Sequence, residues 1–204
     1  MQLMPIYSTP LWQSEFPDFE KHKDNFISIV RKFREENPIN DPRSNVGGYQ
    51  SPKTLHQVEE LNPLFEHICQ MGYQAADDLE FVNCDLAIPG AWLNINDSRQ
   101  CMNSEHIHSD TFSGVVYLKA PEGSGKLCLT NPGLNPMWDG TELTKQKNQF
   151  TAGSIKIVPE EGDIILFPSY LPHSVETNDH DDERISISFN LILLPKETMQ
   201  SILK

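Results

Sequence analysis

The chain has 204 residues, which at about 150 residues per domain describes one compact domain rather than a two-domain enzyme. Its 38% hydrophobic and 22% charged residues supply enough apolar mass for a core, so disorder throughout is excluded. Sixteen Lys and Arg against 29 Asp and Glu leave a net charge of −13, which repels phosphate backbones and anionic lipid heads and argues against nucleic acid or membrane as partner.

The opening segment, MQLMPIYSTPLW, has no basic leader ahead of an apolar run, and no stretch reaches the roughly 18 apolar residues of a membrane span. A cytoplasmic protein is expected. From Pro17 to Asn37, Phe19, Phe26, Ile29, Val30 and Phe33 recur at helical period among charges, predicting a helix with one buried stripe. PINDPRSNVGGYQSP (38–52) is dense in Pro, Gly, Asn and Ser and reads as loop. Asn62-Pro63 then reads as a cap and first helical residue, with Leu64, Phe65, Ile68, Met71, Ala75 and Leu79 continuing an inward face. Cys69, Cys84, Cys101 and Cys128 form no C-x-x-C pair and are expected reduced, buried and without chemistry.

From about Ala87 the texture changes. AWLNIN, SGVVYLKA, KLCLT, SIKIVP, DIILFPS and RISISFNLILL each suit a strand, punctuated by Gly, Pro, Asn or Asp, and predict an antiparallel sandwich or β-helical barrel. The expected division is an N-terminal segment, 1–86, whose helices pack on a barrel of residues 87–204. Within the barrel, 133–153 is too long for a hairpin turn and reads equally as a binding loop or a surface insertion.

The densest chemical signal is Glu105-His106-Ile107-His108-Ser109-Asp110. Residues two apart on an extended chain point the same way, so His106, His108 and Asp110 share a face. At roughly 3.3 Å per residue, His106 and Asp110 stand about 13 Å apart, too far to reach one ion through ~2 Å bonds. The first ligand pair is therefore His106 with His108, or His108 with Asp110. His173, where the apolar run of GDIILFPSYLPHSVETN ends at a proline-flanked turn, is the best third ligand. In Arg184–Leu191, Ile185, Ile187, Phe189 and Leu191 take one face, and Arg184, Ser186, Ser188 and Asn190 the other. Such a polar face is ordinary for a solvent-facing strand; in a second reading it turns inward beside the metal, and Arg184 is then a carboxylate clamp. Asn94 and Asn96 alternate in their strand and are weaker pocket candidates. His22, His56, His67 and His180 lack ligand spacing and are expected on exposed helix faces or loops; Asp179, Asp181, Asp182 and Glu183 read as a solvated turn.

Taken together, AWLNIN ahead of the H-x-H pair, SGVVYLKAPEGSGKLCLTNP, GDIILFPSYLPHSVETN and ERISISFNL resemble a phage and marine-bacterial group of 2-oxoglutarate and Fe(II)-dependent oxygenases, and SNVGGYQSP is similar to that group's N-terminal segment. The resemblance is densest from Trp92 to Leu191. It implies a mainly β protein with N-terminal helices, built on a double-stranded β-helix (a cupin-like jelly-roll) with Fe(II) at one mouth. His106 and His173 match the metal histidines. Arg184 and Ser186 match the R-x-S pair that grips the far carboxylate of 2-oxoglutarate, with Tyr117 facing the cosubstrate. The wider superfamily carries H-x-D or H-x-E where this chain has His106-x-His108. Three imidazoles (His106, His108, His173) are the expected metal set, with Asp110 as alternative carboxylate ligand or imidazole orienter. The implied reaction hydroxylates a small-molecule or peptide substrate with dioxygen, releasing succinate and CO2; a monomer and a homodimer both suit it. Rival readings are a three-histidine dioxygenase that needs no 2-oxoglutarate and a non-catalytic metal-binding jelly-roll.

Overall fold

The computed structural model describes residues 2, 6–97, 101–133, 148 and 150–202. Along these residues the elements are β1 (Trp12–Glu15), α1 (Phe19–Glu36), β2 (Asn45–Val46), β3 (Tyr49–Gln50), α2 (Asn62–Asp78), β4 (Cys84–Asn96), β5 (Met102–His106), β6 (Phe112–Lys119), β7 (Leu127–Thr130), β8 (Ser154–Ile157), β9 (Asp163–Pro168), β10 (His173–Val175), β11 (Arg184–Pro195) and α3 (Lys196–Ile202). Most of the 133–153 insertion, including residues 134–147, lies outside the described residues.

The strands form two antiparallel sheets, ordered β1-β9-β6-β11-β4-β3 and β2-β5-β10-β7-β8. This is an antiparallel sandwich of the kind the strand-rich second half predicts, and it matches the double-stranded β-helix that the resemblance implies. The alternation of β11 decides how the layers stack. Ile185, Ile187, Phe189 and Leu191 are fully buried in a core shared with Phe26 and Val30 of α1 and Leu64 and Ile68 of α2. Each such side chain contributes roughly 1.5–3 kcal/mol of burial. A second, smaller core of Val115, Tyr117, Leu127, Leu129, Ile165, Phe167 and Leu171 lies between the sheets. The polar face of β11 looks into that inter-sheet space, beside the second core.

Several elements depart from the sequence reading. The 38–52 segment expected as loop contributes β2 and β3, and the N-terminal stretch contributes β1, which pairs with β9. Strands of two to four residues carry too few alternating positions to show in sequence and form because a longer neighbour offers free backbone groups. Helix α2 begins at Asn62, with Leu61 as its cap and no side-chain capping bond. Leu79 falls just beyond α2 and is exposed. Only Cys101 is fully buried; Cys69, Cys84 and Cys128 are half-buried, and all four are free thiols. His56 and His67 are half-buried rather than exposed, and desolvation lowers the pKa of each. The acidic turn is more than solvated: Asp182 pairs with Lys119 at 2.8 Å, and Glu183 pairs with Arg31 and Lys119. No described helix is long and apolar enough to cross a membrane.

Candidate metal centre

Cross-strand register brings the separated histidines together. β10 lies between β5 and β7, and His173 is the direct partner of His106, with ring centroids 4.3 Å apart. Directly opposed residues on neighbouring strands share a face, so a contact 67 positions distant in sequence becomes a local one. β5 ends at His106, and the chain is then fixed by the His108 backbone N–H donating to the Ser169 carbonyl at 2.9 Å. This sets the His108 ring 4.9 Å from His106 and 5.3 Å from His173. One nitrogen from each imidazole falls within 4.8 Å of the others. Adjacent ligands on bonds of about 2.1 Å stand roughly 3 Å apart, so the trio is gathered on the scale of a single ion.

The protonation states suit a cation. His106 Nδ1 meets the Ser104 carbonyl at 2.7 Å and His173 Nδ1 meets the Leu171 carbonyl at 2.8 Å. Each carbonyl can only accept, so Nδ1 carries the hydrogen and Nε2 is left with its lone pair. Burial, reinforced by the neighbouring imidazoles and Lys53, pushes His108 down to about 3. Burial takes His173 down to about 4 and lowers His106 as well. The three rings are neutral donors near pH 7, a set suited to iron among the divalent ions imidazole binds. Asp110 lies outside this trio; its carboxylate accepts from Asn190 Nδ2 at 2.6 Å, and Asn190 Oδ1 accepts from Ser113 at 3.0 Å.

The same cavity is lined by Tyr117, Arg184, Ser186, Ser188 and Asn190. β11 and β6 set this register: Ser186 faces Tyr117, Ser188 faces Val115 and Asn190 faces Ser113, after a one-residue shift between Ile185 and Ser186. Arg184 is 2% exposed. Its Nη1 donates to the Ser124 carbonyl and, at 3.3 Å, to the Gly125 carbonyl. No described carboxylate pairs with it, and no Asp or Glu is among the described residues lining the cavity. The Tyr117 hydroxyl is buried without a hydrogen-bond partner among the described residues. Burial pushes its pKa up to about 12 against the pull of Arg184, so it remains a donor. A fixed guanidinium and an orphaned hydroxyl side by side fit one end of a dicarboxylate. Asn94 lines the cavity and donates to Ser188 Oγ at 2.9 Å; Asn96 is fully buried but is not part of the lining.

Sequence reasoning missed two features of this site. One is the Ser124–Gly125 turn, whose carbonyls orient Arg184. Gly125 has φ +92, and a Cβ there would sit 2.2 Å from the Glu176 carbonyl oxygen and 2.9 Å from Arg184 Nη1. The paired glycines of EGSGK were its only trace. The other is Lys53, whose ammonium stands 4.7 Å from the centroid of the Trp92 ring.

Residues 90–190 match the family described as "Putative 2OG-Fe(II) oxygenase". No curated protein matches by sequence. Similar solved structures include a Pseudomonas putida prolyl-4-hydroxylase, at 17% identity and TM-score 0.61 over 90% of this chain and 93% of that one. A Trichoplax adhaerens prolyl hydroxylase, bound to a peptide of hypoxia inducible factor, aligns at 12% identity and TM-score 0.63 over 95% and 87%. The epimerase SnoN, in complex with Fe3+, alpha ketoglutarate and nogalamycin RO, aligns at 12% and TM-score 0.62 over 90% and 79%.

Proposed function

We propose that this chain, a 2OG-Fe(II) oxygenase by residues 90–190, hydroxylates a C–H bond of a small, amino-acid-like molecule with release of succinate and CO2. In this reading His106, His108 and His173 hold Fe(II). Arg184, Ser186 and Tyr117 hold the far carboxylate of 2-oxoglutarate. Bound iron and 2-oxoglutarate supply the oxidising power that side chains lack. The chain's own groups do the rest. Arg184 and the Tyr117 hydroxyl fix the cosubstrate by charge-assisted hydrogen bonds, roughly twice the strength of neutral ones. Trp92, Val115, Leu127 and Phe167 wall the cavity with apolar surface that excludes water. Asn94, Asn103 and Ser188 leave polar positions for a polar guest.

The observation that carries the reading is the buried guanidinium of Arg184 in the same cavity as the imidazole trio, with no carboxylate partner among the described residues. Burying a charge without its counter-charge costs several kcal/mol. A dianionic ligand gives that cost a purpose, and a non-catalytic barrel has none. The trio itself favours one second reading, a three-histidine dioxygenase that acts on its substrate without 2-oxoglutarate. Succinate release separates the two. Protein reconstituted with Fe(II) is expected to convert 2-oxoglutarate to succinate when challenged with free amino acids, short peptides and small metabolites. Arg184→Ala is expected to raise the 2-oxoglutarate requirement strongly while keeping its metal content. Oxygen consumption without succinate supports the second reading, and equal loss of metal and 2-oxoglutarate makes Arg184 structural.

A further inference from the structure

Lys53 lies outside the machinery just described, yet its position is built. Its backbone carbonyl accepts from the Ala91 N–H at 3.2 Å, which ties the 51–54 segment to β4. A Cβ on Gly90 would stand 3.1 Å from Lys53 Cβ and 3.3 Å from Lys53 Cδ. The missing side chain at residue 90 thus lets the lysine stem lie across the strand. Two residues on, on the same face, Trp92 receives the ammonium 4.7 Å from its ring centroid. Trp92 is a wall of the metal cavity, and its ring lies 5.7 Å from that of His108. Lys53 makes no ion pair with a described residue.

Charge balance gives this lysine a task. The proposed site collects a divalent metal on three neutral ligands, the Arg184 cation and the Lys53 cation. The dianionic cosubstrate cancels half of that sum. No described Asp or Glu lines the cavity; Asp110 accepts from the lining residue Asn190 at 2.6 Å, and Glu105 accepts from the Thr130 hydroxyl at 2.6 Å. In a chain of net charge −13, a cavity with no described acid in its lining and a lysine packed on one of its wall residues, Trp92, selects for an anionic guest. We infer that Lys53 is a specificity-determining residue that anchors a carboxylate of the prime substrate, so that the substrate is a small carboxylic acid entering beside Trp92. This rests on the oxygenase reading above and narrows it.

The test uses protein loaded with Mn(II) and 2-oxoglutarate, to which free and N-acetylated amino acids are added, each as the acid and as its carboxamide. Thermal shift and direct titration report binding, and succinate release is measured in parallel with Fe(II). At least one acid is expected to bind and to stimulate succinate release where its amide does not. Lys53→Met should weaken that acid about 10- to 100-fold, the loss of one charge-assisted contact. Lys53→Arg should keep the acid-over-amide preference, and 2-oxoglutarate affinity should move less than about twofold in both variants, since Lys53 does not touch its proposed site. Amides that match their acids, a panel in which no acid outperforms its amide, or an unchanged acid affinity in Lys53→Met overturns the inference. Failure of the wild-type protein to take up Mn(II) or 2-oxoglutarate at the outset overturns the oxygenase reading as well.

Discussion

Tyr117→Phe removes one oxygen atom, and it is expected to move stability and cosubstrate affinity in opposite senses. The Tyr117 side chain is 2% exposed and its hydroxyl has no partner among the described residues. An unsatisfied buried hydroxyl costs about 1–3 kcal/mol in proteins. Deleting it therefore stabilises the ligand-free protein by about 1 kcal/mol once the small void left behind is discounted, a rise of about 2–4 °C in Tm for a chain of this size. In the proposed complex with 2-oxoglutarate the same hydroxyl would donate to a carboxylate, a bond worth about 1.5–3 kcal/mol. Its loss weakens 2-oxoglutarate about 10- to 100-fold. Because burial holds the phenol near a pKa of about 12, the effect persists across the working pH range. Differential scanning fluorimetry without ligand and titration of 2-oxoglutarate into the Mn(II)-loaded protein measure both terms. A variant with lowered ligand-free Tm and unaltered 2-oxoglutarate affinity would show that the hydroxyl only packs, and the argument from the orphaned donor would fail.

Three further perturbations bear on the same geometry. Gly125→Ala must relieve a 2.2 Å approach to the Glu176 carbonyl at φ +92. It is expected to cost about 2–4 kcal/mol and to raise the KM for 2-oxoglutarate by displacing Arg184. Gly123→Ala, two residues earlier at φ +85 with nothing within 4 Å of its Cβ, should cost only about 1 kcal/mol of backbone strain; equal effects in melts and kinetics would discount the Arg184 contact. Metal content separates the candidate ligands: His106→Ala should lose bound Mn(II), whereas Asp110→Ala should keep it, and the reverse would return Asp110 to the coordination shell. Metal-free protein should also lose stability in acid. His173 is held near 4 in the fold and titrates near 6.5 unfolded, so its contribution is present above pH 6.5 and fades as pH falls toward 4. Between pH 7 and pH 5 this amounts to about 2 kcal/mol, and chelator-treated His173→Gln should show a correspondingly flatter melting profile over that range. Parallel profiles for the two proteins would contradict it.

What the sequence disclosed depended on periodicity. The split of β11 into an apolar face of Ile185, Ile187, Phe189 and Leu191 and a polar face of Arg184, Ser186, Ser188 and Asn190 was readable because a long strand repeats its rule several times. Both helices were readable for the same reason, with Phe26 and Val30 and then Leu64 and Ile68 marking their inward stripes. β1, β2 and β3 were not, because four residues or fewer leave no pattern and their pairing is decided by partners distant in the chain. The convergence of His106 with His173 is a matter of register, and register is set by whole sheets. The straight-strand estimate set Asp110 apart from His106, and the group of possible metal ligands among the described residues is His106, His108 and His173. It could not foresee that the chain leaves β5 at His106, so that His108 reaches the same point from beyond the strand's end. Lys53 had no sequence signal at all, since its meaning lies in the absence of a side chain at Gly90.

The site opposes stability by its construction. An acidic chain has placed Arg184 where desolvation lowers its pKa and, among the described residues, two backbone carbonyls answer it. Three imidazoles stand beside it, at positions where apolar residues could fill the space at less cost. Beside them a tyrosine hydroxyl has no partner among the described residues. A fold optimised for its own stability would remove each of these. They become favourable together when a cation meets the imidazoles and a dianion meets the guanidinium and the hydroxyl. Ligands that bind only the folded state stabilise it in proportion to their concentration over Kd, so metal and cosubstrate offset what the empty arrangement costs. On this argument the residues that make the protein least stable when bare are those that define its chemistry, whereas Ile185, Ile187, Phe189 and Leu191, one step along the same strand, hold the fold regardless of what is bound.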